Sequence, residues 1–491
     1  MDDIHYLPAH RLLDKLQSGE LTSERLTRLF LDRIQQRNPA INAVVHLDTE
    51  RALKEAAEAD RKRAAGEPLG PLHGLPLTLK DTWEVAGLIT TAGAPALREY
   101  TPHQNADVAQ RLQDAGAIIL GKTNVPLFAS DLQTYNKVYG FTRNPYNPDR
   151  TPGGSSGGGA AALASGLTPL EVGSDVGGSI RTPAHFCGVF GHKPTRDIVS
   201  MRGHIPGPPG SQTRPDLAEG GPMARCSQDL ELLLRVVAGP RASDGRSWRL
   251  DLEPTSLSNL SEARVAHWFE DPLCPIDTEL KSGYQHLASE LERRGALVAK
   301  AQHPLLKLEH ITPTYFNLLG SLMSPSFKPA QRRQMKWLGH LAPWLKYLGP
   351  VTHGIGEYGR GATQPVHQWA VWNETREKMR HQIEALFDEF DVLLTPVTPT
   401  AAIAHDHSQP LFKRRIKVDG QERSYMDQMC WIALATLLGL PATSVPVGRT
   451  REGLPFNVQV IGAPGKDLTT LRFGQLLEQE GLAGFSPPAE R

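Results

Sequence analysis

Apolar residues recur at helical spacing at Leu26, Leu29, Phe30 and Ile34, behind a threonine, Thr22, placed to cap a helix, and Asn38-Pro39 is expected to stop it. An alanine-rich, charged run predicts a second helix over 49–66. Residues 75–79 (LPLTL) form a short apolar strand that delivers Lys80-Asp81 at its C-terminal end. A helix over 105–115, closed by Gly116, leads into an apolar strand at 117–120. A short small-residue helix follows at 158–164 and a strand at 169–173. Ser227 is placed to cap a helix running to Val237, and 264–269 reads as a strand. Asp277 opens a helix with Leu280, Tyr284, Leu287 and Leu291 on one face, ended by Gly295. Strands at 392–395, 443–447 and 456–461 alternate with helices near 368–388, 425–438 and 467–480. This alternation predicts an α/β layer fold around a mainly parallel sheet, with no internal repeat.

The stretch from about 303 to 366 breaks the regularity. It is rich in Pro and Gly and carries Tyr315, Phe316, Trp337, Trp344 and Tyr347, too aromatic for a linker. A peripheral helical region accounts for it better than a lid or pocket wall.

At 491 residues, 40% hydrophobic and 22% charged, the chain has ample material for a large core. Lys+Arg and Asp+Glu are both 53, so no long-range field draws a polyanion, and nucleic acid is a poor partner. The N-terminus lacks a basic n-region and apolar h-region, and no run of about 18 apolar residues occurs. Cys187, Cys226, Cys274 and Cys430 lie far apart with no CxxC pair. A reduced, cytoplasmic chain is expected, without membrane contact.

Several motifs match a pattern and fail on context. Gly116 to Thr123 satisfies GxxxxGK[ST], but the intervening Ala-Ile-Ile-Leu is a strand by composition and not a phosphate-cradling loop. Two registers of GxSxG overlap at 153–158, yet the preceding RNPYNPDRTP cannot be the buried strand of a nucleophile elbow. His405 and His407 suggest no third metal ligand and read as solvated loop. Cys187, in HFCGVFG, reads as core.

What remains is a glycine-dense stretch, Thr151 to Thr195, whose two glycine clusters each carry serine. A flexible Gly/Ser linker would not hold the apolar run AAALASGLTPLEV between its clusters. Serine is a poor nucleophile without a base. A lysine serves as base only when neutral, which burial favours, and LPLTLK surrounds Lys80 with apolar neighbours. Taken singly, Lys80 would read as a salt-bridged surface lysine. Gly177 and Gly178 leave backbone N–H groups unshielded beside Ser179, where an oxyanion could form. The residues alone reach a serine acyl-transfer site in which Lys80 is a candidate base.

The stretch from Gly153 to Thr195 resembles the defining motif of the amidase signature family, with GGSSGG, then GSDVGGSIRTPA, then GxKPT in order. Gly74-Leu75-Pro76 leading to Lys80-Asp81, TTAG at 90–93, GKTN at 121–124, DVLLTP at 391–396, GLPATSVPVG at 439–448 and GLPFNVQVIG at 453–462 also match. The resemblance implies one amidase domain over 1–491. Its signature core lies at about 65–240 and 390–480, and the divergent 240–390 region lines the substrate pocket. It implies a central mixed, mostly parallel, twisted sheet covered by helices on both faces.

The resemblance places the nucleophile on Ser179, the bridging serine on Ser155 after a cis Gly154–Ser155 peptide, and the base on Lys80. Oxyanion donors fall on the N–H groups of Val176, Gly177, Gly178 and Ser179. Gly154, Ser156, Asp175 and Arg181 brace the loops. The implied reaction is hydrolysis of a small aryl or alkyl carboxamide through an acyl-enzyme, with no cofactor and no metal. The partner is then only the small-molecule amide, and a homodimer is the oligomer left open.

The alternatives are the glutaminase-type subunit of a tRNA-dependent amidotransferase, or ester or carbamate cleavage on the same triad. A catalytically dead binding protein is disfavoured by the presence of all three triad residues. The sequence departs from the family at His192, where Leu is common, at Leu127, where an acidic residue is frequent, and at 203–221, which lacks the usual SLD-type segment. These departures bear on the substrate and leave the triad intact.

Overall fold

The computed structural model describes residues 3–241, 243–345 and 354–489. Its first sheet joins Val44–Leu47 (β1), Pro76–Lys80 (β2) and Ile118–Thr123 (β3) in the order β1-β3-β2, with β2 parallel to β3 and β1 antiparallel to it. Every residue of β2 and β3 is buried, which is why both read as continuous runs without polar alternation. Two short hairpins, Tyr135–Asn136 with Gly140–Phe141 (β4, β5) and Arg415–Val418 with Gln421–Ser424 (β12, β13), lie outside the main layers.

The main sheet is built from Glu171–Asp175 (β6), Phe190–Lys193 (β7), Glu219–Ala224 (β8), Arg264–His267 (β9), Leu297–Lys300 (β10), Val392–Pro396 (β11), Ala442–Arg449 (β14) and Pro455–Ile461 (β15). Its order is β10-β9-β11-β15-β14-β7-β8-β6, and helices flank it. The sheet is mixed, as expected, but its weighting is the reverse of the expected one. Only β10, β9 and β11 run parallel to one another, and the remaining neighbours are antiparallel. Helix–strand alternation does not dictate strand direction. Between β14 and β15 only residues 450–454 intervene, far too few for a parallel crossover.

Local differences have local causes. Thr22 caps its helix, accepting the Arg25 N–H at 3.1 Å, but the helix Ser23–Ile41 continues through Pro39 and ends on left-handed Asn42. Asn38 folds its amide over that end, bonding Ala43 and Val44. Cys226, not Ser227, occupies the cap position of the helix Ser227–Val237. Asp277 makes no side-chain cap of its own. It accepts the Asp419 N–H at 2.7 Å, and the Asp419 carboxylate accepts the Thr278 N–H at 3.0 Å in its stead.

The stretch after 303, less regular in sequence and read as a helical region, is largely helix: Leu308–Met323, Pro329–Leu345 and Ile355–Gly361. Its glycines mark close helix contacts. A Cβ on Gly320 would stand 2.1 Å from the Tyr358 carbonyl oxygen, and one on Gly361 would stand 1.9 Å from that of Asn317. Tyr315 and Phe316 are buried and Trp337 is exposed; Tyr347 and the Trp344 side chain lie outside the described residues. One apolar core runs from Ala9 to Leu477, and a smaller cluster (Ala160, Leu163, Ile180, Ala184, Cys187) is formed largely by the apolar residues of the glycine-rich stretch itself.

Candidate active site

The two sheets meet at the C-terminal ends of β2 and β6. Strand β2 ends on Lys80, and β6 ends on Ser174-Asp175, so the topology brings the lysine against the turn that follows β6. Lys80 is fully buried. Its Nζ lies 2.8 Å from Ser155 Oγ, 2.9 Å from Ser174 Oγ and 3.3 Å from the Ser174 carbonyl oxygen. Burial pushes its amine down from 10.5 to about 7, against the upward pull of Asp175 and Glu171. The salt-bridged surface reading of this lysine is therefore excluded: it is a buried amine whose neutral form is accessible near neutrality.

Ser155 stands on a loop entered through a cis Gly154–Ser155 peptide, just before the helix Gly157–Ala164. A Cβ at Gly154 would stand 2.7 Å from the Gln133 nitrogen and 2.8 Å from the Asp131 carbonyl oxygen, so that close approach requires glycine. Ser156 ties this loop to the other glycine cluster: its N–H donates to the Ser179 carbonyl at 3.1 Å, and its Oγ accepts the Ser174 N–H at 3.4 Å. Ser179 is the most exposed of the three expected triad side chains, at 7%, against 1% for Ser155 and 0% for Lys80.

Asp175 and Arg181 hold the turn between them. Asp175 Oδ1 accepts the Gly178 N–H at 2.9 Å and Arg181 Nη2 at 2.8 Å; its Oδ2 accepts the Ile180 N–H and Arg181 Nε, each at 3.0 Å. Arg181 spends its remaining N–H groups on Ile432, Gln459 and Thr436, so every donor of a fully buried guanidinium is used. Burial alone would raise the Asp175 carboxyl, but Arg181 and the turn amides hold it at about 2.

This bracing corrects one expectation. The Gly178 N–H is donated to Asp175 and is not free to face an oxyanion, whereas the N–H groups of Val176, Gly177 and Ser179 have no protein acceptor among the described residues. Gly178 has φ +89°, a conformation open to glycine, and it turns the chain so that its own amide points inward.

Three neighbours were not legible beforehand. Ser174 is the second hydroxyl on Lys80. His204, in the segment that departs from the family, places Nε2 2.9 Å from Ser174 Oγ. Tyr315, from the divergent region, donates its hydroxyl to the Val176 carbonyl at 3.1 Å. Ser174 carried a faint signal, lying beside Asp175 within the motif; Tyr315 stood out only as one aromatic of the divergent region, and His204 only by lying in the departing segment 203–221.

The context-failing motifs are structural. Gly121-Lys122-Thr123 is strand β3, with buried Lys122 donating to the Trp83 carbonyl. No strand precedes Ser155 directly. His407 stacks on Tyr135 with ring centres 4.0 Å apart, and His405 meets Phe141 edge-on, so the pair is half-buried and aromatic-packed where a solvated loop was expected. Cys187 is core. His192 bonds Thr443 and Asp467 inside the fold, while Leu127 is exposed at the surface. No helix among the described residues is long and apolar enough to cross a membrane.

The family model described as Amidase matches residues 25–471. The chain is 34% identical to a glutamyl-tRNA(Gln) amidotransferase subunit from Synechococcus sp. (strain CC9605), over 96% of each chain. Among solved structures it resembles a bacterial aryl acylamidase of the amidase signature family (TM-score 0.81, 25% identity, 97% of this chain and 96% of that one). It also resembles a chain from an inhibitor-bound vestigial protein complex that reveals the evolutionary origins of an s-triazine catabolic enzyme (TM-score 0.79, 27% identity, 98% and 100%). With the buried lysine, the serine loop and the braced glycine turn already in place, these likenesses show that the chain belongs to the amidase signature family and is an enzyme acting on amide C–N bonds.

Proposed function

We propose that the chain hydrolyses small linear carboxamides through a serine acyl-enzyme on the triad Lys80-Ser155-Ser179. The contact of 2.8 Å between Lys80 Nζ and Ser155 Oγ, made by a fully buried amine poised at about 7, carries the reading. Neutral Lys80 accepts the Ser155 proton while Ser155 accepts that of Ser179. The Ser179 oxygen attacks the amide carbonyl, and the developing oxyanion is received by the N–H groups of Val176, Gly177 and Ser179. The C–N bond breaks as the proton returns along the same relay to the departing nitrogen. Water then attacks the acyl-enzyme, its proton taking the same route, and releases the carboxylic acid with Ser179 restored. The divergent 240–390 region walls the acyl pocket, a reading supported by the reach of Tyr315 to Val176. The chain works as one domain.

A second reading is favoured by the amidotransferase relatives: the amide cleaved would be that of glutamine, within a complex. The departing segment 203–221 supports the stand-alone enzyme, because it places His204 against Ser174 beside Lys80.

The test is a fluorophosphonate probe followed by mass-spectrometric mapping, in wild type and Lys80→Ala, with a screen of simple amides against glutamine. Labelling at Ser179 that collapses in Lys80→Ala, with turnover of simple amides by the isolated chain, is expected. Labelling at Ser155 or Ser156 would overturn the nucleophile assignment. Silence toward probe and amides would sink the stand-alone enzyme.

A further inference from the structure

The amine of Lys80 is surrounded by three oxygens: Ser155 Oγ, Ser174 Oγ and the Ser174 carbonyl. A neutral amine has two N–H groups and one lone pair. To act as base toward Ser155, it must donate both N–H groups to the two Ser174 oxygens and keep its lone pair for the Ser155 hydroxyl. The Ser174 hydroxyl has a single proton, which must then leave in another direction. Among the described residues, the nitrogen placed to take it is His204 Nε2, 2.9 Å from Ser174 Oγ.

His204 is held there by backbone as well as packing. Residues 203–205 zip onto the chain immediately after Lys80: the Glu84 N–H donates to the Gly203 carbonyl at 2.9 Å, and the Ile205 N–H to the Thr82 carbonyl at 2.8 Å. His204 thereby faces Trp83, whose ring meets the imidazole edge-on with centres 4.6 Å apart. Trp83 is itself fixed by donating Nε1–H to the Val172 carbonyl at 3.2 Å. The imidazole has little freedom to turn away from Ser174.

We propose that His204 is a positioning residue for the lysine base: with Nε2 unprotonated, it accepts the Ser174 hydroxyl proton and so turns the Ser174 oxygen lone pairs toward Lys80. The opposite tautomer would reverse the chain. Nε2–H would donate to Ser174 Oγ, the Ser174 hydroxyl would turn to the Lys80 lone pair, and the base would be occupied. One imidazole proton thus decides whether the lysine faces Ser155 with a lone pair or with nothing to accept by. Burial, and the nearby amines of Lys80 and Lys122, keep the ring well below its usual range and hence neutral. The proposal rests on Lys80 being the base.

The test follows the rate of fluorophosphonate labelling of Ser179 in the full chain across a pH series, separating the inactivation rate constant from reversible probe affinity. The rate constant belongs to the folded molecules, so a misfolded fraction lowers only the labelled amount. His204→Leu is expected to slow inactivation about tenfold or more with affinity within about twofold of wild type. His204→Gln, whose Oε1 reaches where Nε2 stood and accepts the same proton, is expected to recover most of that rate with the acid limb in its wild-type place. Ser174→Ala should be as slow as His204→Leu, and the double variant no slower than either. Wild-type labelling in His204→Leu beside an inert Lys80→Ala would overturn the role of His204 alone. So would a Gln variant as slow as Leu. Unimpaired labelling of Lys80→Ala would overturn the base assignment itself, and this inference with it.

Discussion

The hydroxyl of Tyr315 donates to the backbone carbonyl of Val176 at 3.1 Å, joining the divergent region of the chain to the turn that carries Ser179. In a trans peptide the carbonyl and the following N–H point in opposite directions. Fixing the Val176 carbonyl against Tyr315 therefore also fixes the opposite direction of the Gly177 N–H, one of the oxyanion donors proposed above. Tyr315→Phe keeps the ring in its buried seat and removes only this bond. We expect kcat to fall by about tenfold with KM little changed, as an oxyanion donor loses its alignment but not its presence. A rise in KM with kcat intact would refute this.

The depressed amine of Lys80 sets an acid limb. With Lys80 as the base proposed above, turnover needs its neutral form, and kcat/KM is expected to rise with pH through about 7 and fall steeply below it. Stability has its own sign. An amine at about 7 when folded and 10.5 when unfolded must give up a proton to fold anywhere between, a penalty greatest below about 7 and absent above 10.5. Lys80→Met should accordingly abolish turnover while raising the unfolding free energy at pH 7 by on the order of 1–3 kcal/mol, net of the lost hydrogen bonds. Denaturant titration of both proteins at pH 6 and pH 10 checks this; a gain that does not shrink toward pH 10 contradicts it.

Asp175→Asn removes one member of a buried, fully hydrogen-bonded pair and leaves the Arg181 charge uncompensated. A loss of roughly 3–5 kcal/mol is expected, together with loss of Ser179 labelling as the turn loosens. In the wild type this carboxyl is depressed to about 2 from 3.8, so its contribution is complete above about 4 and vanishes as pH falls toward 2. The acid-unfolding curves of wild type and variant should converge across that window.

Gly121 separates a structural from a nucleotide-binding role for the GKT motif. A Cβ there would stand 1.9 Å from the His46 carbonyl oxygen on the paired strand β1, with backbone unable to yield. Gly121→Ala should destabilise the fold by about 1–3 kcal/mol or more, and wild-type protein should show no ATP- or GTP-dependent rise in its melting temperature.

What the sequence determined by itself is local chemistry. Apolar runs located the strands around Lys80, Thr22 capped its helix, and the glycine clusters marked where backbone had to come close, because such signals act within a few residues of their source. The triad came from the family resemblance, and of its contacts the structure gives that of Lys80 Nζ with Ser155 Oγ. The tertiary structure alone decided the direction of the strands in the main sheet, since a helix between two strands is compatible with either sense. It alone turned the Gly178 N–H onto Asp175, through the bracing by Arg181 and its distant partners Ile432, Gln459 and Thr436. It alone brought His204 to Ser174 and Tyr315 to Val176. Hydrogen bonds of that kind are made between side chains and backbone far apart in sequence, where no periodicity records them and only packing brings donor and acceptor within reach.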